Sequence, residues 1–513
     1  MHGKPSDQSS VQPYAWYMLA VLCLVYVLNF VDRQMLTILA PDLKSDLGIS
    51  DSEFGFLYGT AFGVFYALFG IPLGKLADRW SRVGLLAIGL TLWSTMTALS
   101  GMSRNFGQIA ATRVGVGVGE ATAAPCAYSL ISDYFPPRLR ATALGVYSAG
   151  LYLGSGFSLF VGSRISTSWN ETYAGGTAPL GLAGWQAAFL LVGVPGLLLA
   201  LVVAFMREPL RGRFDVSERP AEPSQATTSP WRGFLDDLAE VVPPFTILGA
   251  WRRGAGALVI NLFAAAVAGA VAFGLIKLTG DVAQWSALAL GGYAIFSWAT
   301  ALRARDRGTF AILLGSPAFL CLTLGYAFVA FVGYATTAFG PLYAIGSLDA
   351  APEEAGMMLG GLGAVGGALG VIVGGIIADR AARNGDQANR VAVILLSAAM
   401  AFIAHAVMFS TASLTLFYVA VFFNSAFLAA TLGASSGTVV NIVPSNVRGV
   451  ATATFLLGTN MIGLGLGPYT AGKASEILGD LGTAMLAMLG AVPVMLTLVA
   501  MSWATLRRNA ARA

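Results

Sequence analysis

Charge is scarce in this chain of 513 residues, since only 11% of its side chains are Asp, Glu, Lys or Arg, against about a quarter in ordinary soluble domains. With 56% apolar side chains and a mean hydropathy of +0.71, a water-soluble globule is excluded. Cysteine is nearly absent as well. Cys23, Cys126 and Cys321 all fall within apolar runs, where a small packing residue is expected rather than a disulfide or a metal set. Only two histidines occur, and His405 stands alone in an apolar run, which points to a packed, hydrogen-bonded ring rather than a proton relay. No Ser-His-Asp set and no metal-ligand spacing is present, and the glycines of GVGVGEA lie inside an apolar run rather than at a strand-to-helix turn. An enzyme, a metal centre and a bound cofactor are therefore not expected.

What the sequence has in quantity is long apolar runs. Stretches long enough to cross about 30 Å of hydrocarbon as helix begin near Tyr14, Phe54, Val83, Phe106, Ala141, Trp185, Ala255, Trp285, Phe310, Ala355, Val391, Leu414, Val450 and Leu481. These predict an all-α polytopic membrane protein with about 14 transmembrane segments. The first run is too long for a signal-peptide core and contains Asp32 and Arg33, so it is expected to stay as the first span.

The chain is internally duplicated. Gly74, Asp78, Arg79 and Arg82 spell G-x-x-x-D-R-x-x-R, and Gly375, Asp379, Arg380 and Arg383 spell it again, 301 residues later. At the same offset Glu53 meets Glu354 and Gly55 meets Gly356. Pro136 and Arg140 are answered by Pro444 and Arg448. Repeats of this length in an apolar chain are the mark of a secondary transporter. They divide the chain into a tail (1–13), a six-helix half (14–206), a linker (207–250), an inserted hairpin (251–308), a second six-helix half (309–506) and a tail (507–513). In the linker, Arg207, Arg211, Arg213 and Arg219 precede a Pro, Ser and Thr stretch that is not expected to fold as a domain.

Basic residues gather at one end of the spans: Lys75, Arg79, Arg82, Arg138, Arg140, the linker arginines, Arg303, Arg305, Arg307, Arg380, Arg383, Arg390, Arg448, Arg507 and Arg508. The other end carries Asp42, Asp46, Glu53, Asp349, Glu353 and Glu354. The positive-inside bias then places both termini in the cytosol of a cell with the protein in its inner, or plasma, membrane. The net charge of +4 reflects that bias and not nucleic-acid binding.

Ionisable groups inside the bilayer are costly, so the spans that carry them deserve a functional reading. The first span places Asp32 and Arg33 beside Tyr26, Asn29 and Phe30, and the fourth carries Arg113 and Glu120 two helical turns apart. Gly115, Gly117 and Gly119 between them permit close approach of a backbone or a ligand. Two acids and two arginines at similar depth predict a neutral four-charge cluster. A carboxylate in a partly dry cavity is pushed towards protonation and an adjacent guanidinium opposes this, so a change of pairing can take up and release a proton. Glu120 is the expected proton carrier with Asp32 as its partner, while Arg33 and Arg113 are the candidates for an anionic headgroup. The second half offers no such charge. It has Tyr326, Phe328, Phe331, Tyr334, Thr336 and Thr337 in its first span, and Asn424, Ser435 and Ser436 amid Phe422, Phe423 and Phe427. With Tyr58, Phe62, Phe65, Tyr66 and Phe69, these give the expected cavity one charged and one aromatic side.

Two six-helix halves with G-x-x-x-D-R-x-x-R after the second and eighth repeat helices resemble the major facilitator superfamily over essentially the whole chain. Within it, NFVDRQMLTILAPDLKSDLGISDSEFG, RVGVGVGEA and SLISDYFPPRLRATALG resemble the Spinster family of proton-linked lipid and lysolipid transporters. The resemblance implies that Asp78 caps a helix of the opposite half, that Arg79 or Arg82 meets Asp133, and that this inner lock favours the outward-open state. It places Asp379, Arg380 and Arg383 near Arg140 in a weaker second lock, with Gly74 and Arg448 belonging to the same machinery. Two features depart from the pattern: the inserted hairpin, and a fifth helix reading GVYSAGLYLGSG without a Gly-Pro step.

The function expected is a proton-coupled, alternating-access carrier of an amphipathic organic anion such as a lysolipid or sphingosine-1-phosphate, acting as a monomer with protons and membrane lipid as its other partners. Tyr58, Tyr326, Tyr334 and Asn424 join Arg33 and Arg113 as expected substrate contacts. Rivals are a transporter of small organic anions such as sugar acids or aromatic carboxylates, a drug-efflux carrier, and a receptor or scaffold that keeps the fold without transport.

Overall fold

The computed structural model describes residues 13–212, 214, 229–383, 387–444 and 447–510. Most of the amino-terminal tail, residues 215–228 of the linker with Arg219, Arg213, the side chain of Arg138, and residues 511–513 lie outside them. Every regular element among the described residues is helical. In order these are α1 (Pro13–Ile38), α2 (Asp51–Arg79), α3 (Arg82–Ser100), α4 (Phe106–Glu120), α5 (Ala123–Tyr134), α6 (Pro137–Thr172), α7 (Gly184–Ala204), α8 (Pro230–Val241), α9 (Phe245–Arg252), α10 (Ala255–Thr279), α11 (Val282–Arg305), α12 (Pro317–Ser347), α13 (Pro352–Ala381), α14 (Gln387–Ser410), α15 (Leu414–Asn441), α16 (Arg448–Leu478) and α17 (Leu481–Asn509). Short helices at 40–47 and 307–313 connect them.

Among the described residues, twelve helices are long and apolar enough to cross a membrane. The other two apolar runs are helical but fall short of that standard. The run from Phe106 carries Arg113 and Glu120 and breaks after Glu120 into α4 and α5, and the run from Trp285 forms α11, which carries Gln284 and ends in Arg303 and Arg305. Fourteen is thus a count of helical passages, two of them polar.

Local chemistry sets the helix ends. Ser50 accepts from the backbone of Glu53 (3.2 Å) while the Glu53 carboxylate accepts from that of Ser50 (2.9 Å), a reciprocal cap on α2. Ser81, Asn105 and Asp480 cap α3, α4 and α17 in the same one-sided way. The duplication reappears in three dimensions: Arg140 Nε donates to the Ser132 carbonyl (3.0 Å) and Arg448 Nε to that of Val440 (3.1 Å), each closing the turn eight residues back.

Cross-half contacts gather at the acidic end. Ser52 N donates to Glu476 Oε1 and Ser475 Oγ to Asp51 Oδ2, both at 2.8 Å, and Arg164 pairs with Glu353 at 2.8 Å. Along the seam of α6 and α13, Gly156 faces Gly360 so closely that a Cβ on Gly156 would lie 2.6 Å from the Gly360 carbonyl oxygen. Gly156→Leu should therefore cost about 1–3 kcal/mol by overpacking, read as a lowered thermal midpoint in detergent. At the basic end Asp78, Arg380 and Arg383 are exposed.

The linker differs from expectation. Residues 230–252 form α8 and α9, because Phe234, Leu238 and Val241 give α8 an apolar stripe that packs on Val64, Leu68 and Trp298. Its acids then meet the basic end: Asp237 takes Lys75 (2.7 Å) and Arg79 (2.8 Å), and Glu240 takes Lys75 (3.2 Å) and Arg305 (3.0 Å). The hairpin is not an appendage either. Gln284 of α11 donates to the Gly465 carbonyl (3.0 Å), which also lies 2.5 Å from the Thr60 hydroxyl, so α11 is tied to both halves where α2 meets α16.

Candidate functional site

On α1, Tyr26, Asn29, Phe30 and Arg33 recur at helical spacing and share one face. α4 packs closely on α2 at Gly117, where a Cβ would lie 2.6 Å from the Phe62 carbonyl oxygen, and carries Arg113 and Glu120 towards this face of α1. This approach brings four charges together. Asp32, Arg113 and Glu120 are each at most 3% exposed.

They do not form two matched pairs. Arg33 Nε donates to Glu120 Oε2 at 2.6 Å, the one ion pair in the cluster among the described residues. Arg113 reaches the backbone oxygen of Asp32 at 3.4 Å, not its carboxylate. Glu120 Oε1 and Arg113 Nε, both buried, have no hydrogen-bond partner. Unsatisfied buried polar atoms are costly, so a further donor to Glu120 Oε1 or acceptor from Arg113 Nε would be favourable here. Arg33 is 20% exposed at its side chain and Glu120 fully enclosed, so the guanidinium is the more accessible partner of the pair.

Arg33 is also caged by rings. Its guanidinium carbon lies 4.3 Å from the centroid of Phe62, 4.9 Å from that of Tyr66 and 5.1 Å from that of Phe30, contacts each worth about 0.5–2 kcal/mol. In the sequence alone Phe62 and Tyr66 are only part of an aromatic stripe. Tyr58, Phe62 and Tyr66 follow one another at intervals of four residues, the signal that they share the face towards α1. Tyr26 stacks on Tyr147 (4.3 Å) and meets Phe30 edge-on (5.2 Å), and Tyr58 donates to Gln34 at 3.3 Å. Tyr334 of α12 lies in electrostatic range of Arg33 and Tyr66, bringing the second half to the site.

Two expected contacts go elsewhere. Tyr326 packs on Phe455 (5.0 Å) in the second half's own core, and Asn424 donates to the Ala401 carbonyl (2.8 Å), bracing α15 on α14. His405 bonds Thr336 and the Met485 carbonyl, both at 2.8 Å, as a packed ring should.

The inner-end motif divides its labour. Arg82, wholly buried, meets Asp133, Glu208 (2.7 Å), Ser129 (2.8 Å) and the Pro209 carbonyl (3.0 Å). Arg79 goes to Asp237 of the linker, not to Asp133. Asp78 caps no helix among the described residues and is exposed, with Arg79, Arg82 and Arg211 as its charged neighbours. Gly74 lies beside Pro125 of its own half. In the second copy, Asp379 pairs with the neighbouring Arg390 at 2.5 Å, rather than with Arg140, and is itself 73% exposed. The second lock is thus confined to one half.

Glu208 accepts from Val83 N (2.9 Å), Ser81 Oγ (3.0 Å) and Arg82. Burial pushes its pKa up, but these donors and the Arg82 charge outweigh that and hold it below the usual carboxylate value. A depressed folded pKa gives stability that is present above the unfolded value of about 4.3 and is lost as pH falls through the folded one. The thermal midpoint should drop on acidification below about pH 4.3, and Glu208→Gln should lower it at neutral pH while flattening that acid limb.

Comparison with known proteins follows the geometry. A profile of the Major Facilitator Superfamily matches residues 22–346, and one of the Organic Anion Transporter Polypeptide (OATP) family matches residues 307–419. The chain is 27% identical over 494 residues to an MFS-type efflux pump of Mycolicibacterium smegmatis, covering 93% of this chain and 90% of that protein. It is 30% identical over 213 residues to Protein spinster of Drosophila melanogaster, covering 42% and 33%. A bacterial homolog of the human lysosomal transporter Spinster, solved inward-facing and unoccupied, superposes with a TM-score of 0.70 at 24% identity, covering 97% of this chain and 98% of that one.

Proposed function

We propose that this chain, which belongs to the major facilitator superfamily, is a Spinster-like transporter that carries an amphipathic organic anion, a lysolipid or sphingosine-1-phosphate-like lipid, in exchange for or together with protons. The observation that carries this reading is the Arg33–Glu120 pair inside its ring of Phe30, Phe62 and Tyr66. A phosphate or carboxylate entering the cavity competes with Glu120 for the Arg33 fork. The displaced carboxylate, left in a dry pocket, takes a proton; when the anion leaves, Arg33 recaptures Glu120 and the proton is released. Apolar rings around the guanidinium favour a ligand that brings hydrocarbon with its charge.

The halves rock about this site, so that each ligand shifts the populations only by its differential affinity. With the basic end in the cytosol, closure at the acidic end makes the present state inward-facing. Arg113, with its free Nε, and Tyr58, Asn29 and Tyr334 complete the headgroup region, while Asp32 balances the second arginine. The OATP likeness of residues 307–419 supports an anionic cargo. Efflux, the activity named for the mycobacterial relative, is the alternative favoured by overall identity.

Competition in proteoliposomes separates the readings. Long-chain lysolipids should displace a labelled lysolipid far better than short-chain phosphates of the same headgroup; equal competition by short acids would favour a carrier of small organic anions.

A further inference from the structure

The linker helices present an apolar and basic surface that transport does not use. Around α8 and α9, Trp231, Leu235, Phe245, Leu248 and Trp251 are exposed, Trp251 by 64%. In a water-soluble setting that patch would be a liability. Its position supplies the reason for it. α9 ends at Arg252, and α10 begins at Ala255 with its apolar window only 11% buried and Phe263 71% exposed. A helix so bare of protein contacts must be clothed by lipid, and one short turn joins it to α9. Trp251, Arg252 and Arg253 therefore stand at the level of the headgroups, where tryptophan and arginine side chains are favoured.

The charges on this segment are unequal. Asp237 and Glu240 are occupied by Lys75, Arg79 and Arg305. Asp236 pairs with Arg252 at 2.6 Å across an exposed surface. Arg253 has its Nη2 buried and without a hydrogen-bond partner. Arg232 is exposed as well. Arg252, exposed, and Arg253, part-buried, set two guanidinium charges beside the exposed indole of Trp251, a setting that suits a phosphodiester.

We propose that the turn between α9 and α10 binds an anionic phospholipid, with Arg253 and Arg252 holding the headgroup phosphate and Trp251 and the apolar face of α10 lying along its chains. Because α8 grips Lys75 and Arg79 of the inner motif, a lipid bound here anchors that grip to the membrane surface.

The test is native mass spectrometry of the full-length protein in detergent, titrated with phosphatidylglycerol or with phosphatidylcholine. The native protein should retain phosphatidylglycerol preferentially, and each arginine removed, as in Arg253→Gln or Arg252→Gln, should weaken that retention about fivefold while leaving phosphatidylcholine unaffected. Arg253→Lys, which keeps the charge but not the fork, should fall between and guards against a folding defect. Equal retention of both lipids by the native protein, or unchanged phosphatidylglycerol retention in folded Arg253→Gln, would overturn the proposal.

Discussion

Glu120→Gln is expected to collapse proton-driven accumulation to equilibrium while leaving substrate exchange intact. Glutamine can still accept from Arg33 Nε through its carbonyl oxygen where Glu120 Oε2 now sits, 2.6 Å away, so the site keeps its shape. It cannot cycle a proton, however. Each proton moved down one pH unit supplies about 1.4 kcal/mol, so native protein with one coupled proton should concentrate substrate about tenfold per unit of gradient. The mutant should reach a ratio of one at every gradient. An exchange assay without a gradient checks that binding survives, and a mutant whose accumulation still tracks the pH gradient would remove Glu120 from the coupling.

Asp133→Ala should be the most destabilising change at the inner end. It strips the wholly buried Arg82 of its enclosed counter-charge and leaves the Gly212 N–H, which donates to Asp133 Oδ1 at 3.0 Å, without its acceptor. Breaking a buried pair from one side costs about 3–5 kcal/mol, enough to be seen as a large fall in the thermal midpoint and in the yield of folded protein. Arg79→Ala serves as the contrast. Arg79 is 45% exposed at its side chain, and the buried Asp237 keeps Lys75 when Arg79 is removed, so about 0–1 kcal/mol is expected. Breaking the ion pairs of the motif's two arginines should thus have widely different effects, and equal effects would mean that burial does not govern the lock.

The fold was legible because its signals are long and redundant: apolar runs of spanning length, a motif repeated 301 residues on, and a one-sided distribution of arginines. The four charges were legible because intramembrane ions are costly enough to stand out. Their pairing was not, since depth along two helices does not say which carboxylate faces which guanidinium; Arg113 turned to a backbone oxygen of Asp32 instead. Tyr326 and Asn424 had the right residue types but the wrong helix faces, and a single sequence holds no measure of interhelical rotation. In the linker, the composition of the stretch before α8 hides the helix that follows it. Phe234, Leu238 and Val241, interleaved with Asp237 and Glu240, carried a helical period that composition averages away. Nor could the sequence show that Gln284 of the hairpin would meet Thr60 and Gly465 from opposite halves.

The central claim is that this protein couples a proton gradient to movement of an amphipathic anion through the Arg33–Glu120 exchange. Its most direct test is uptake of labelled sphingosine-1-phosphate and lysophospholipid by proteoliposomes holding the native protein under an imposed pH gradient. The account predicts uptake that rises with the gradient and disappears when it is dissipated. Movement of neither lipid, or movement indifferent to the gradient, would contradict it.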